Sequence, residues 1–231
     1  MIKNDTSCFR ISDAGICPNC KSKSIIKNGF AKNQKQQYVC KSCGKRSIDF
    51  YCYNSYQVKD ETIIKFIKEG LGIRSTARIL QISTTTLLKR IVAIARRISN
   101  PIITSDKTYE VDEMRSFITR KDNLVWIVYA LERKTKRVVS FSIGKRTKRT
   151  LKNVIDLLLL SRPKAIYTDG LRQYKSIIDS KIHKVKRFGT NRIERNNLSL
   201  RTHLKRLNRK TICFSRSFSI LLCILKIYFW S

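Results

Sequence analysis

Glu194 is the only acid in the stretch Lys181–Arg216, KIHKVKRFGTNRIERNNLSLRTHLKRLNRKTICFSR, which holds twelve Lys or Arg residues. As a surface residue it would gain little there, because any of several neighbours could pair it. Asp169 directly follows the apolar run AIYT, and Asp112 lies in YEVDEM. Carboxylates brought together repel each other unless cations neutralise them, and that arrangement holds divalent metals. Two Mg2+ or Mn2+ ions so held would activate an attacking oxygen and stabilise a leaving oxygen in an in-line phosphodiester displacement.

A second group of residues has metal-ligand spacing. Cys17 and Cys20 stand in CPNC, and Cys40 and Cys43 in CKSCG. Two C-x-x-C pairs about twenty residues apart have the spacing of a zinc ribbon, each pair on a tight turn that aims two thiolates at one tetrahedral Zn2+. Ser24–Phe30 and Gln36–Val39 are expected as two short strands between them. So small a module does not fold without its metal, so the Zn2+ is structural. Cys8 and Cys52 flank the ribbon at unsuitable spacings and read as small buried side chains.

The elements that must position the acids come next. Asn191–Arg209 has helical spacing, with Ile193, Leu200, Leu204 and Leu207 on one stripe. Glu194, Asn197 and Arg201 share the polar face beside it. Upstream, Thr108–Met114, Leu124–Glu132 and Arg137–Ile143 read as strands, with Lys134–Lys136 as a hairpin turn. A helix over Thr147–Leu160, a strand over Ala165–Thr168, a short helix over Leu171–Ile178 and a strand over His183–Phe188 follow. The order β-β-β-α-β-α-β-α is that of a ribonuclease H-like α/β domain with a mixed sheet. In it the first strand, the end of the fourth strand and the helix of Glu194 meet at one sheet edge. Glu110 is the runner-up for the first acid. Glu113 is a poorer third, because strand alternation turns it to the other face.

Before the strands, Asp60–Glu69 reads as a helix that Gly70 and Gly72 end. Ser75 is expected to cap a short second helix, and Thr84–Ile98 to form a third. Two helices joined by a short turn, the second opening on Thr84, Thr85 and Thr86 and carrying Lys89 and Arg90, make a helix-turn-helix pattern. Hydroxyls and cations at that end can contact phosphates and base edges of double-stranded DNA.

Composition agrees with such a partner. The chain has 49 Lys and Arg against 16 Asp and Glu, a net charge of +33. Repulsion on that scale calls for a polyanion, nucleic acid first. Hydrophobic residues make up 42% of the chain, which excludes a disordered basic tail. Met1–Ser12 lacks the apolar core of a signal peptide, so a cytoplasmic protein with metal-bound cysteines is expected. The apolar end Ile220–Trp230 is interrupted by Lys226 and falls short of the roughly 20 residues of a bilayer span. It is expected to pack on the core, with no membrane contact.

The segments YEVDEM, IYTDGLRQY and TNRIERNNLSLRTHLKRLNRKTICFSRS resemble the insertion-sequence-one family of bacterial transposases, a branch of the acid-triad (DDE) transposases. The resemblance implies three modules: zinc ribbon (1–56), helix-turn-helix (57–101) and catalytic domain (102–231). It also implies Asp112, Asp169 and Glu194 as catalytic metal ligands. Twenty-four residues separate the last two, the family's short second spacing. Arg201 then stands where the class has a basic residue on the catalytic helix, with Asn197 expected beside it on a phosphate. The role of His203 stays open between function and helix packing. The implied activity is cleavage and strand transfer at terminal inverted repeats, by a homo-oligomer on DNA in the bacterial nucleoid. A nuclease that does not join, or a non-enzymatic DNA-binding regulator, are the alternatives.

Overall fold

Residues 15–32, 34–48, 58–208, 211 and 213–231 are described by the computed structural model. Cys8 and Cys52 lie outside them. The chain divides between Gln57 and Val58 into two units.

The first unit is a three-stranded antiparallel sheet, β1 (Ile25–Phe30), β2 (Gln36–Cys40) and β3 (Arg46–Ile48), in that order. The third strand is additional to the two expected. Among its described residues only Cys17 and Cys40 are buried. Its described residues form no apolar core, so the cysteines are what hold them together.

The second unit opens with three helices, α1 (Asp60–Lys68), α2 (Ile73–Ile79) and α3 (Thr84–Arg97). Helix α2 begins two residues before Ser75, with Gly72 at its N-cap, so the expected Ser75 cap is not formed. Ser83 caps α3 by accepting the Thr86 N–H at 3.0 Å. Leu87, Ile91, Ile94 and Ala95 are buried at helical spacing.

The sheet follows: β4 (Thr108–Ile118), β5 (Arg120–Glu132) and β6 (Val138–Gly144), then α4 (Lys148–Leu160), β7 (Ala165–Tyr167), α5 (Arg172–Lys175) and β8 (His183–Lys184). Helix α6 (Asn191–His203), a 3-10 turn (Lys205–Leu207) and α7 (Phe218–Trp230) end the chain. The strand order is β6-β5-β4-β7-β8. The first three strands pair antiparallel, and β7 and β8 add in parallel to β4. The result is a mixed sheet with helices on both faces.

Alternation along β4 divides two cores. Tyr109 and Val111 pack with Leu151, Val154 and Ile155 of α4. Met114, with Ile127 and Tyr129 of β5, packs with Ile193 and Leu200 of α6, with α7, and with apolar residues of α1 and α3. The three N-terminal helices of this unit therefore share a hydrophobic core with the sheet. Helix α7 is apolar all round because the sheet covers one side and α1 and α3 the other. Helix α6 stops six residues before the expected Arg209. The chain leaves the helix at Leu204, and a 3-10 turn lets both Leu204 and Leu207 stay buried. At its end a Cβ on Gly70 (φ +74°) would lie 1.8 Å from the His203 carbonyl oxygen, so only glycine fits that crossing. His203 is exposed, its Nδ1 2.6 Å from the Tyr228 hydroxyl of α7.

Candidate metal centres

Asp112 points from β4 toward α6, directly opposite Tyr129 on β5. Asn197 of α6 is held between the two. Its Oδ1 accepts the Tyr129 O–H at 2.8 Å, and its Nδ2 donates to Asp112 Oδ2 at 2.7 Å. Asp112 Oδ1 accepts the Glu113 N–H at 2.8 Å. Asn197 thus fixes a carboxylate, with one of its two Nδ2 hydrogens spent on Asp112. Two residues earlier, the fully buried Glu110 takes the Arg192 and Ile193 N–H groups at 3.1 and 3.0 Å, with Arg133 and Arg192 on its other oxygen. Glu110 therefore caps α6 from across the sheet. Two residues of strand rise about 6.7 Å, and the four to five helix residues between these contacts rise about 6–7.5 Å. Strand β4 and α6 thus lie alongside each other with matched polar contacts.

Asp169 leaves the end of β7, exposed, with Oδ1 accepting the Leu171 N–H at 3.0 Å. Thr168 beside it hydrogen-bonds His183 Nε2 of β8 at 2.8 Å, which holds the turn. Carboxylate oxygens of Asp112, Glu113 and Asp169 all lie within 4.8 Å of one another. Burial first, then the charges of Asp169 and Glu194, raise the Asp112 carboxyl above its ordinary range. Burial and the Asp169 charge push Glu113 up to about 7, against the pull of Arg146. Strand alternation alone had turned Glu113 away from this group. The register explains its presence: β7 pairs with β4 only as far as Glu110, so Asp112 and Glu113 extend past the end of their neighbour.

Glu194 is exposed in the first turn of α6, its Oε1 accepting the Thr190 hydroxyl at 2.7 Å. Its carboxylate is not part of the three-acid cluster, although its charge acts on Asp112. Arg201, one turn beyond Asn197, is half-buried, and its charge acts on the Tyr129 hydroxyl.

In the first unit the four sulfurs of Cys17, Cys20, Cys40 and Cys43 lie within 4.8 Å of one another. The closest pairs, Cys17–Cys43 and Cys20–Cys40, are 3.7 and 3.6 Å apart. A tetrahedral ion with Zn–S near 2.3 Å sets its sulfurs about 3.8 Å apart, so the quartet is compatible with zinc. The Lys45 N–H and the Asn19 amide push the Cys43 thiol down to about 6, while the neighbouring thiols push Cys20 up to about 12.

Of the residues expected to meet DNA, Thr84, Thr85 and Lys89 are exposed at the start of α3. The Thr86 hydroxyl is 2.8 Å from Ser83 Oγ within the cap. Arg90 reaches back to Asp60 of α1, as does Arg97. Asp60 is thereby held below its usual range despite partial burial. No helix among the described residues is long and apolar enough to cross a membrane.

The fold and the acid cluster together define a mixed-sheet domain with converging carboxylates at one sheet edge. Residues 107–229 match the model of the IS1 transposase family. The chain is 40% identical over 111 residues to the insertion element iso-IS1n protein InsB of Shigella dysenteriae, covering 48% of this chain and 85% of that protein. It is 40% identical over 108 residues to the IS1 2 protein InsB of Escherichia coli K12, covering 47% of this chain and 65% of that one. A loose structural likeness, with 14% identity and a TM-score of 0.37, links 71% of the chain to 66% of a chain in a simian T-cell lymphotropic virus intasome bound to a PP2A regulatory subunit. The chain belongs to the IS1 transposase family.

Proposed function

We propose that this protein is the DNA transposase of a bacterial insertion element, cutting and joining phosphodiester bonds at a divalent-metal site of Asp112, Asp169 and Glu194. The observation that carries the reading is the convergence of the Asp112 and Asp169 carboxylates at adjacent strands in a chain of net charge +33. The strand order is read as ribonuclease H-like, with α6 as the catalytic helix. Mg2+ or Mn2+ bound there would neutralise the phosphate and lower the barrier to attack by an oxygen. Asp112, clamped by Asn197 and the Glu113 N–H, supplies a fixed ligand. Asp169 supplies one from an exposed turn. Glu194 joins them by leaving Thr190 and changing rotamer. Arg201 would help offset phosphate charge. In cleavage, a water oxygen bonds to phosphorus at the element end, and the P–O3′ bond breaks to leave a 3′-hydroxyl. In joining, that hydroxyl attacks a target phosphorus, and the target's P–O3′ bond breaks.

Helices α2 and α3 are read as the helix-turn-helix that finds the inverted repeats, and the basic ribbon as a zinc-held DNA contact. The protein acts in the bacterial cytoplasm as an oligomer on DNA. A supercoiled plasmid with marked element ends tests the whole reading. Joined products are expected. Nicking without joining would make it a nuclease, and binding alone a regulator.

Two further outcomes are expected. Purified protein should carry about one Zn2+ per chain, and Cys40→Ser should lose it along with protease resistance of the first unit. Metal analysis without zinc, on protein never exposed to chelator, would remove the ribbon. DNA affinity should fall steeply with salt for every sequence, because Lys and Arg release counterions from phosphates. Thr85→Ala or Lys89→Ala should instead narrow the gap between element-end and random DNA, by about 1–3 kcal/mol for a lost base contact. Equal weakening on both DNAs would deny α3 a reading role.

A further inference from the structure

We infer that Glu113 is a third carboxylate ligand to the divalent cation held by Asp112 and Asp169, an inference that rests on the metal-site reading above. Its side chain is 2% exposed, and its Oε1 is buried without a hydrogen-bond partner. A carboxylate oxygen of Glu113 lies within 4.8 Å of carboxylate oxygens of Asp112 and Asp169. A buried carboxylate among two others raises the free energy of the site unless a cation sits between them. The cation paired with it among the described residues is Arg146, whose Nη2 lies 3.9 Å from Oε2. Arg146 is 39% exposed, and its guanidinium lies over the Trp126 ring at 4.4 Å. Such a contact compensates little of the charge on Glu113. The buried Tyr174 hydroxyl is the other polar neighbour of Glu113, a neutral group that cannot balance its charge.

The spacing suits one hard ion. An octahedral cation with oxygens at about 2.1 Å sets neighbouring ligands about 3 Å and opposite ligands about 4.2 Å apart. Small side-chain movements bring the three carboxylates to those separations. Glu194, which approaches from α6, then completes the metal site from the phosphate side. Glu113 is thus a ligand from the rear of the sheet edge, and the cation carries three carboxylates before substrate arrives.

Mn2+ binding to the full-length protein tests this without relying on activity. Glu113→Gln keeps the shape and removes one buried charge. Its melting temperature in chelator is expected to rise, while Mn2+ affinity falls about tenfold or more and the Mn2+-induced rise in melting temperature shrinks accordingly. Asp156→Asn, at an exposed acid of α4, should change neither. If Glu113→Gln melts lower in chelator and binds Mn2+ like the unchanged protein, Glu113 is only the partner of Arg146 and the inference is overturned. Absence of Mn2+ binding by the unchanged protein would overturn the metal-site reading as well. Should Glu113→Gln not fold, anomalous scattering from Mn2+ in crystals of the unchanged protein decides. A peak about 2.0–2.4 Å from a Glu113 oxygen supports the ligand, and a peak touching only Asp112 and Asp169 overturns it.

Discussion

Asp112→Asn, Asp169→Asn and Glu194→Gln proteins are expected to bind element-end DNA at least as well as the unchanged protein and to lose strand transfer on the order of a thousandfold or more. Each change removes one negative charge from a chain of +33, so phosphate binding gains or holds. An amide is a poor ligand for a hard cation, so cleavage and joining fail together. Any two changes combined should add little, because the acids act as one unit. The three variants should still differ in stability. Asp112 accepts from the Glu113 N–H on one oxygen and from Asn197 on the other. An asparagine there can satisfy only one of these as acceptor, though it relieves repulsion with Asp169. Asp169 and Glu194 are exposed, each with one hydrogen bond, and their amides should fold with near-unchanged stability. Joining by Glu194→Gln at a rate within a few-fold of the unchanged protein in Mg2+ would remove Glu194 from the site.

The second large effect concerns folding. Glu110→Ala is expected to destabilise the second unit by about 3 kcal/mol, the lower end of the cost of breaking a buried ion pair, because both arginines keep some water contact. For a domain of this size that is a fall in melting temperature of about 6–12 °C. Four groups lose their acceptor at once: Arg133, the Arg192 side chain, and the N–H groups of Arg192 and Ile193. The start of α6, and Glu194 with it, should then exchange amide protons faster than the rest of the unit. Below its melting point the variant should keep Mn2+ binding, since Asp112, Glu113 and Asp169 are untouched. An unchanged melting temperature with lost Mn2+ binding would instead make Glu110 the first metal-binding acid, the role for which it was the runner-up.

The sequence by itself determined most of the order of elements and the two groups of candidate metal ligands. C-x-x-C spacing is a local property of two turns, and the quartet of sulfurs follows from it directly. Strands and helices were legible wherever a period of 2 or 3.6 ran through apolar residues, as in α3, α4 and β5. The placing of Asp112 and Asp169 at one sheet edge was legible too, because right-handed crossovers leave few ways to arrange that order of elements.

Only the tertiary structure decided which polar groups meet. Alternation put Glu110 beside Asp112 on one face and Glu113 on the other, and this is true of the backbone. It could not say that β7 stops opposite Glu110, which opens the edge to side chains from both faces. Nor could it say that the N-terminus of α6 lands on Glu110 and claims both its oxygens. A polar residue on a helix, such as Asn197 or Arg90, is ambiguous until its neighbours are known. Asn197 is held by Tyr129 and Asp112, and Arg90 by Asp60, partners 68, 85 and 30 residues away in sequence. Hydrophobic periodicity fixes which side of an element faces inward, whereas hydrogen bonds and ion pairs between elements depend on register and crossing geometry, which one strand or helix does not encode.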